Sequence, residues 1–176
     1  LDDNRGLHNA LQSDFPVLPV FIFDKHILND LLDKKDARVS FIHQELSEIN
    51  KELESKTSRL KTFYSTPEES FKALLDQYDV QEVHANRDYE PYATARDEKG
   101  KDILGDHVQF VTRKDQVIFE SDEVLKDNGT PYLVYTPYSK KWLSKVTIKD
   151  YESYPSALES DNFFKSRFEK IISLKE

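Results

Sequence analysis

The chain has 176 residues, with 38% hydrophobic and 12% aromatic side chains, no cysteine and a net charge of −8. That apolar content supports a packed core and argues against disorder, and the lack of cysteine excludes a disulfide framework and a thiolate metal site. The longest apolar run, Val17 to Phe23, is interrupted by Pro19 and too short to cross a bilayer, no secretory leader is visible, and a cytoplasmic protein is expected.

Asp3 or Asn4 caps a short helix carrying Leu7, Ala10 and Leu11. Val17 to Phe23 reads as a buried strand of a parallel sheet, although Pro19 cannot donate to a ladder. Val39, Ile42, Leu46, Ile49 and Leu53 recur at steps of three and four, which predicts a helix over 37–55. Arg59 to Tyr64 alternates and reads as a strand. Thr66-Pro67-Glu68-Glu69 opens a helix that runs to about Tyr78. Val80 to Ala85 is the next strand, Tyr89 to Leu104 a helix stopped by Gly105, and His107 to Thr112 a fourth strand. Strands alternating with helices imply a parallel sheet with right-handed crossovers.

Beyond Thr112 the pattern changes. Residues 116–120, 124–125 and 132–138 read as extended pieces joined by turns, and 138–145 as a short helix around Trp142. From Thr147 the tail is either a linker with one amphipathic helix or the start of a second domain. The division expected is therefore an α/β domain over 1–146 and a connector over 147–176.

Much familiar chemistry is missing. Four glycines form neither a dinucleotide fingerprint nor a phosphate loop. The five histidines are scattered, and no Gly-x-Ser-x-Gly elbow is present. The one basic cluster, Lys140, Lys141 and Lys145, reads as a solvated helix face, and nucleic-acid affinity needs more positive charge than this acidic chain offers. One rim stands out. Ligands of open α/β sheets sit beyond the carboxyl ends of strands, where this chain places Asp24 and the run Asn86-Arg87-Asp88-Tyr89-Glu90-Pro91-Tyr92. Two readings stay open there: carboxylates capping helices, or carboxylates and rings holding a planar cofactor.

Several segments in order resemble the photolyase/cryptochrome family. Leu1-Asp2-Asp3-Asn4-Arg5-Gly6-Leu7 is similar to the segment after the family's first strand. Val20-Phe21-Ile22-Phe23-Asp24 resembles its second strand, and Asn86 to Tyr92 with Arg96-Asp97 resembles its Asn-x-Asp-x-Glu-Pro-Tyr…Arg-Asp segment. Lys114 to Phe119 and Tyr135-Thr136-Pro137-Tyr138…Trp142 complete the likeness. The resemblance implies a Rossmann-like α/β domain of three layers with sheet order 3-2-1-4-5, here with the first strand apparently missing. It also implies a light-harvesting domain for an antenna chromophore: a reduced folate, a deazaflavin or FMN. By resemblance Phe21, Asp24, Asn86, Asp88 and Glu90 would line that pocket, while Tyr135, Pro137 and Trp142 pack towards a second domain. The FAD, the splitting of pyrimidine dimers and the binding of damaged DNA would belong to the helical domain of a full-length lyase, so this chain alone is expected to be non-catalytic. A cryptochrome photoreceptor is the alternative, and an exposed sheet edge makes a dimer conceivable.

Overall fold

A computed structural model describes residues 2–33, 36–155 and 161–174. Four parallel strands alternate with helices: α1 Arg5–Leu11, β1 Val20–Asp24, α2 Lys25–Asn29, α3 Ala37–Ser55, β2 Lys61–Ser65, α4 Pro67–Gln77, β3 Glu82–Asn86, α5 Pro91–Leu104, β4 Gln109–Arg113 and α6 Tyr135–Lys145. β1 pairs in parallel with β2 from Val20↔Lys61 to Asp24↔Ser65, and β3 with β4 from Glu82↔Gln109 to Asn86↔Arg113. Among the described residues nothing is inserted between the two pairs, which remain separate two-stranded sheets.

The local chemistry explains each helix. Asn4 caps α1 by accepting from the Leu7 N–H at 2.9 Å. Thr66 and Glu69 form a reciprocal capping box at the start of α4, with Pro67 in its first turn. Gly105 ends α5 at φ 65°, a conformation that costs a residue with a Cβ. All four strands begin later than the apolar patterning suggests. Pro19 has no N–H, so β1 opens at Val20, one residue past it. Residues 59–60, 80 and 107–108 precede the ladder, and Gln81 contributes only its carbonyl, which accepts from the Gln109 N–H at 2.9 Å. The helix α2 was not foreseen; Asp24 nucleates it by accepting from the His26 N–H at 2.9 Å.

The layers are three. On one face α1 lies over β3, with Leu7 and Leu11 reaching the cluster of Phe23, Leu46, Leu53 and Leu60. α3 lies on the same side, its Leu46 and Leu53 buried and its Ile42 surfacing. On the other face α4 packs on β1 and β2, and α5 packs on α4 and β4.

Two expectations for the later chain are corrected. Residues 135–138 begin α6 instead of extending, because Pro137 fits a first helical turn. The only pairing nearby is an isolated bridge between Leu125 and Pro131. The tail over 161–174 contains no helix. It runs extended, and Val17 takes hydrogen bonds on both sides from it, Val17 N to Asn162 O and Phe164 N to Val17 O, each 2.8 Å. Phe163, 2% exposed, sits inside the main core. Asn50, equally buried, accepts from the Leu60 N–H at 2.7 Å and donates to Glu169 O at 2.8 Å. The His43 ring bonds Ile172 O at 3.0 Å, and Arg59 forms an ion pair with Glu169.

The tail is thus a strap that completes the core over α3 and β2. Phe163→Ala is expected to cost about 3–5 kcal/mol through lost burial and a cavity. Asn50→Ala should cost about 1–3 kcal/mol by stranding the Leu60 N–H. Urea unfolding of the intact chain measures both, and a loss below 1 kcal/mol for Phe163→Ala (on the order of a surface change) would show the strap to be peripheral.

Candidate functional site

The rim at the carboxyl ends of β1 and β3 gathers four of the five residues singled out from sequence. Asp24, 7% exposed, ends β1. One of its oxygens caps α2, and the other accepts a short hydrogen bond from the Tyr92 hydroxyl in the first turn of α5. This contact links the two strand pairs. The His26 ring lies edge-on to Tyr92, centroids 6.4 Å apart. Burial first, and the Asp24 carboxylate second, push the Tyr92 phenol well above the ordinary tyrosine range. Burial also raises neighbouring Tyr89, with the Glu120 carboxylate second, to about 12.

Asp88 closes the turn that leads into α5. Its Oδ1 accepts from the backbone N–H of Tyr89 at 2.7 Å and of Glu90 at 3.2 Å, with Gln116 Nε2 at 3.5 Å. The Glu90 N–H chiefly holds its carboxyl below the usual range; partial burial opposes this, and the Tyr89 N–H adds to it. Glu90 differs. It precedes Pro91 at the helix start, makes no side-chain capping bond, and its exposed carboxylate takes no partner among the described residues.

Asn86 and Phe21 do structural work. The Asn86 side chain accepts from the Gly6 N–H at 2.8 Å and donates to Asn4 at 3.1 Å and Asp115 at 3.0 Å. It locks the start of α1 onto β3. A Cβ on Gly6 would lie 2.6 Å from Asn86 Oδ1, so only glycine permits this approach. Phe21 packs edge-on against Phe23, centroids 4.9 Å apart, and joins the periphery of the core.

Sequence reasoning missed Tyr92 and Asp115 as partners of the rim, although both lie in quoted segments. Their roles depend on contacts across 68 and 29 residues, which no local spacing shows. Of the lysine cluster, Lys141 faces Asp127 at 3.5 Å and Lys145 donates to Glu123 O. Trp142 packs edge-on against Phe119, centroids 5.5 Å apart, within this domain. Tyr135, by contrast, is largely exposed.

The rim therefore presents acceptors and rings. Among the described residues no cluster of His, Asp or Glu has a metal-binding arrangement, and no helix is long and apolar enough to cross a membrane. Among the described residues the Glu90 carboxylate is uncommitted, in the run that also carries Tyr89 and Tyr92. Phe21 and Asn86 have other partners. Clefts of about 590 Å³ beside Lys101, Asp106 and Phe110, and 270 Å³ beside Leu60 and Glu169, lie away from this rim.

The sequence profile of the family described as DNA photolyase matches residues 1–157. The chain belongs to that family. It is 31% identical over 143 residues to the deoxyribodipyrimidine photo-lyase of a Synechococcus strain, a match covering 81% of this chain and 29% of that protein. An archaeal photolyase from Sulfolobus tokodaii, with two FAD molecules and the implication of a novel light-harvesting cofactor, superposes with a TM-score of 0.62. The identity is 27%, over 84% of this chain and 32% of that one. A class III photolyase from Agrobacterium tumefaciens gives a TM-score of 0.79 over 99% of this chain and 35% of its own. At 24% identity, that likeness speaks to the fold alone. The chain spans about a third of the length of these photolyase relatives.

The raised tyrosines make a testable pair. Each is favoured neutral in the fold, so its contribution is complete below the free-tyrosine value of about 10 and is lost as pH rises through the raised value. In an ultraviolet titration Tyr92 and Tyr89 should ionise last, and Tyr92→Phe should remove one late component. An unchanged late phase in both Tyr92→Phe and Tyr89→Phe would refute the assignment. Separately, Asp88→Ala should cost about 1 kcal/mol by freeing the Tyr89 and Glu90 N–H groups in the turn that leads into α5, and Asp88→Asn much less. Because the Asp88 value is depressed, its share of stability is present above the ordinary carboxylate range and lost as pH falls through the lowered value. The gap between wild type and Asp88→Ala in urea should accordingly narrow in acid.

Proposed function

We propose that this chain is the light-harvesting domain of a DNA photolyase, and that the full-length enzyme uses light to split pyrimidine dimers. Membership of the family and the photo-lyase relatives support this reading. A cytoplasmic location goes with it. FAD and damaged DNA would be bound by the rest of such an enzyme, and this acidic chain would contribute little to the DNA contact.

The observation that carries the antenna role is Glu90, an unpaired carboxylate on a rim of aromatic rings where open α/β sheets take ligands. The proposed ligand is a reduced folate, a deazaflavin or FMN, any of which absorbs light and passes excitation on when bound. In this reading Glu90 accepts an N–H or O–H from the ring system. Asp24 and Asp88 act from behind, the first by orienting Tyr92 and the second by fixing the backbone from which Glu90 projects. Asn86 locks the start of α1 onto the end of β3, and Phe21 packs beside Phe23 on β1. No side chain here needs to exchange a proton, since an antenna only binds, orients and excludes water from its chromophore.

The test is a fluorescence titration of the chain with methenyltetrahydrofolate, 8-hydroxydeazaflavin and FMN in turn. One should bind, and Glu90→Gln should weaken it roughly 10–100-fold, as expected for losing a charge-assisted hydrogen bond. Binding that is indifferent to Glu90→Gln and to Tyr92→Phe would place the chromophore elsewhere. No binding by any of the three would refute the antenna role while leaving the fold assignment intact.

A further inference from the structure

At the rim one phenol and one carboxylate are joined by a hydrogen bond that neither caps a helix nor belongs to a ladder. The Tyr92 hydroxyl donates to Asp24 Oδ2. Asp24 Oδ1 already accepts from the His26 N–H at 2.9 Å, so its two oxygens do different work: one holds α2, the other takes the phenolic hydrogen. Tyr92 is 41% exposed, whereas Asp24 is 7% exposed. The tyrosine is thus open to whatever meets the rim, while its hydroxyl is kept on a shielded base. The His26 ring stands edge-on to it, and Glu68 and Arg96 add opposing fields.

Other tyrosines are placed differently. The Tyr78 hydroxyl accepts from Arg59 Nη2 at 3.2 Å, a cation with no capacity to take a proton. Tyr89 faces Glu120, but that carboxylate is paired with Arg87 at 2.9 Å, which weakens it as a proton acceptor. Tyr64, Tyr135, Tyr138 and Tyr151 lie open to water. Losing an electron makes a phenol strongly acidic, so the ease of its oxidation depends on where its proton goes. An exposed tyrosine must hand the proton to water or buffer, whereas Tyr92 holds a base within hydrogen-bond reach. Burial and the Asp24 charge raise the Tyr92 phenol, which closes the alternative route, ionisation ahead of electron loss, at neutral pH.

We propose that Tyr92 and Asp24 form a redox-active pair that gives one electron to an aromatic one-electron oxidant at the rim. As the electron leaves, the Tyr92 O–H bond breaks and the proton passes to Asp24 Oδ2. The products are a neutral tyrosyl radical, a carboxylic acid and an oxidant reduced by one electron, and no further reactant enters. Return of the electron draws the proton back along the same hydrogen bond, so the pair works reversibly. For a ring excited by light at the rim, this transfer competes with the passing on of energy. That consequence rests on the antenna reading; the pair itself does not.

The test is flash-quench oxidation of the chain by tris(bipyridine)ruthenium(III), which needs no bound chromophore and so succeeds or fails apart from the antenna reading. Transient absorption and electron paramagnetic resonance follow the neutral tyrosyl radical. The wild-type chain should show a fast phase whose rate does not rise with added phosphate and falls in heavy water. Tyr92→Phe should abolish that phase, and Tyr135→Phe should leave it. Asp24→Asn can still cap α2 and still accept the hydrogen bond, but it takes up no proton. It should slow the phase roughly a hundredfold or more, as expected for removing a positioned base. A fast phase that survives Tyr92→Phe would overturn the proposal, as would an unchanged rate in Asp24→Asn. So would the absence of any phosphate-independent phase in the wild-type chain.

Discussion

The two strand pairs share no ladder hydrogen bond, and every other feature of the domain answers that fact. An isolated pair of strands is marginal in water, so each half depends on what its helices and loops bring to it. α1 is the principal clasp. Its start is nailed to β3 by Asn86, which reaches Gly6, Asn4 and Asp115 at once, and its far end places Leu11 in the core beside Phe23. Packing of α4 on α5 joins the halves on the other face. At the rim a single side-chain contact, Tyr92 to Asp24, does the same. Within the described residues these contacts join the two halves.

The carboxylates of the rim show how capping and binding compete for the same residue types. Asp24 and Asp88 each satisfy backbone N–H groups at a helix start, which is where an acidic side chain gains most from the exposed donors. A carboxylate so engaged has less capacity left for a ligand. Glu90 stands at the same helix start with the same charge but one more methylene, and it makes no such bond. The two readings that the sequence left open therefore apply to different residues. Capping accounts for Asp24 and turn closure for Asp88, and ligand binding is proposed for Glu90.

The alternation of strands and helices was legible because it rests on local periodicity and capping, both written within a turn or two of sequence. Thr66 to Glu69, the stripe from Val39 to Leu53 and Gly105 each carry their own signal. Strand starts were misplaced because apolar residues such as Leu60 pack in the core just ahead of the ladder, and hydropathy does not distinguish packing from pairing. The tail was illegible for a different reason. Phe163 earns its place only by meeting Leu11, Phe23 and Leu53 from the far end of the chain, and Asn50 reads as an ordinary polar helix residue until Leu60 and Glu169 approach it. Tyr92 is the same case at the rim. Where a residue's partner lies far off in sequence, its neighbours carry no trace of the contact.

These constraints meet at the rim. Asp24 ends β1 and belongs to one half, whereas Asp88 and Glu90 follow β3 and belong to the other. Their spacing is therefore a property of the gap between the strand pairs as much as of either loop. Within the described residues that spacing rests on the contact of the Tyr92 hydroxyl with Asp24 and on the packing of α4 against α5. A chromophore proposed for this rim would be oriented by both halves at once, because the efficiency of passing on excitation depends on how firmly its ring is held.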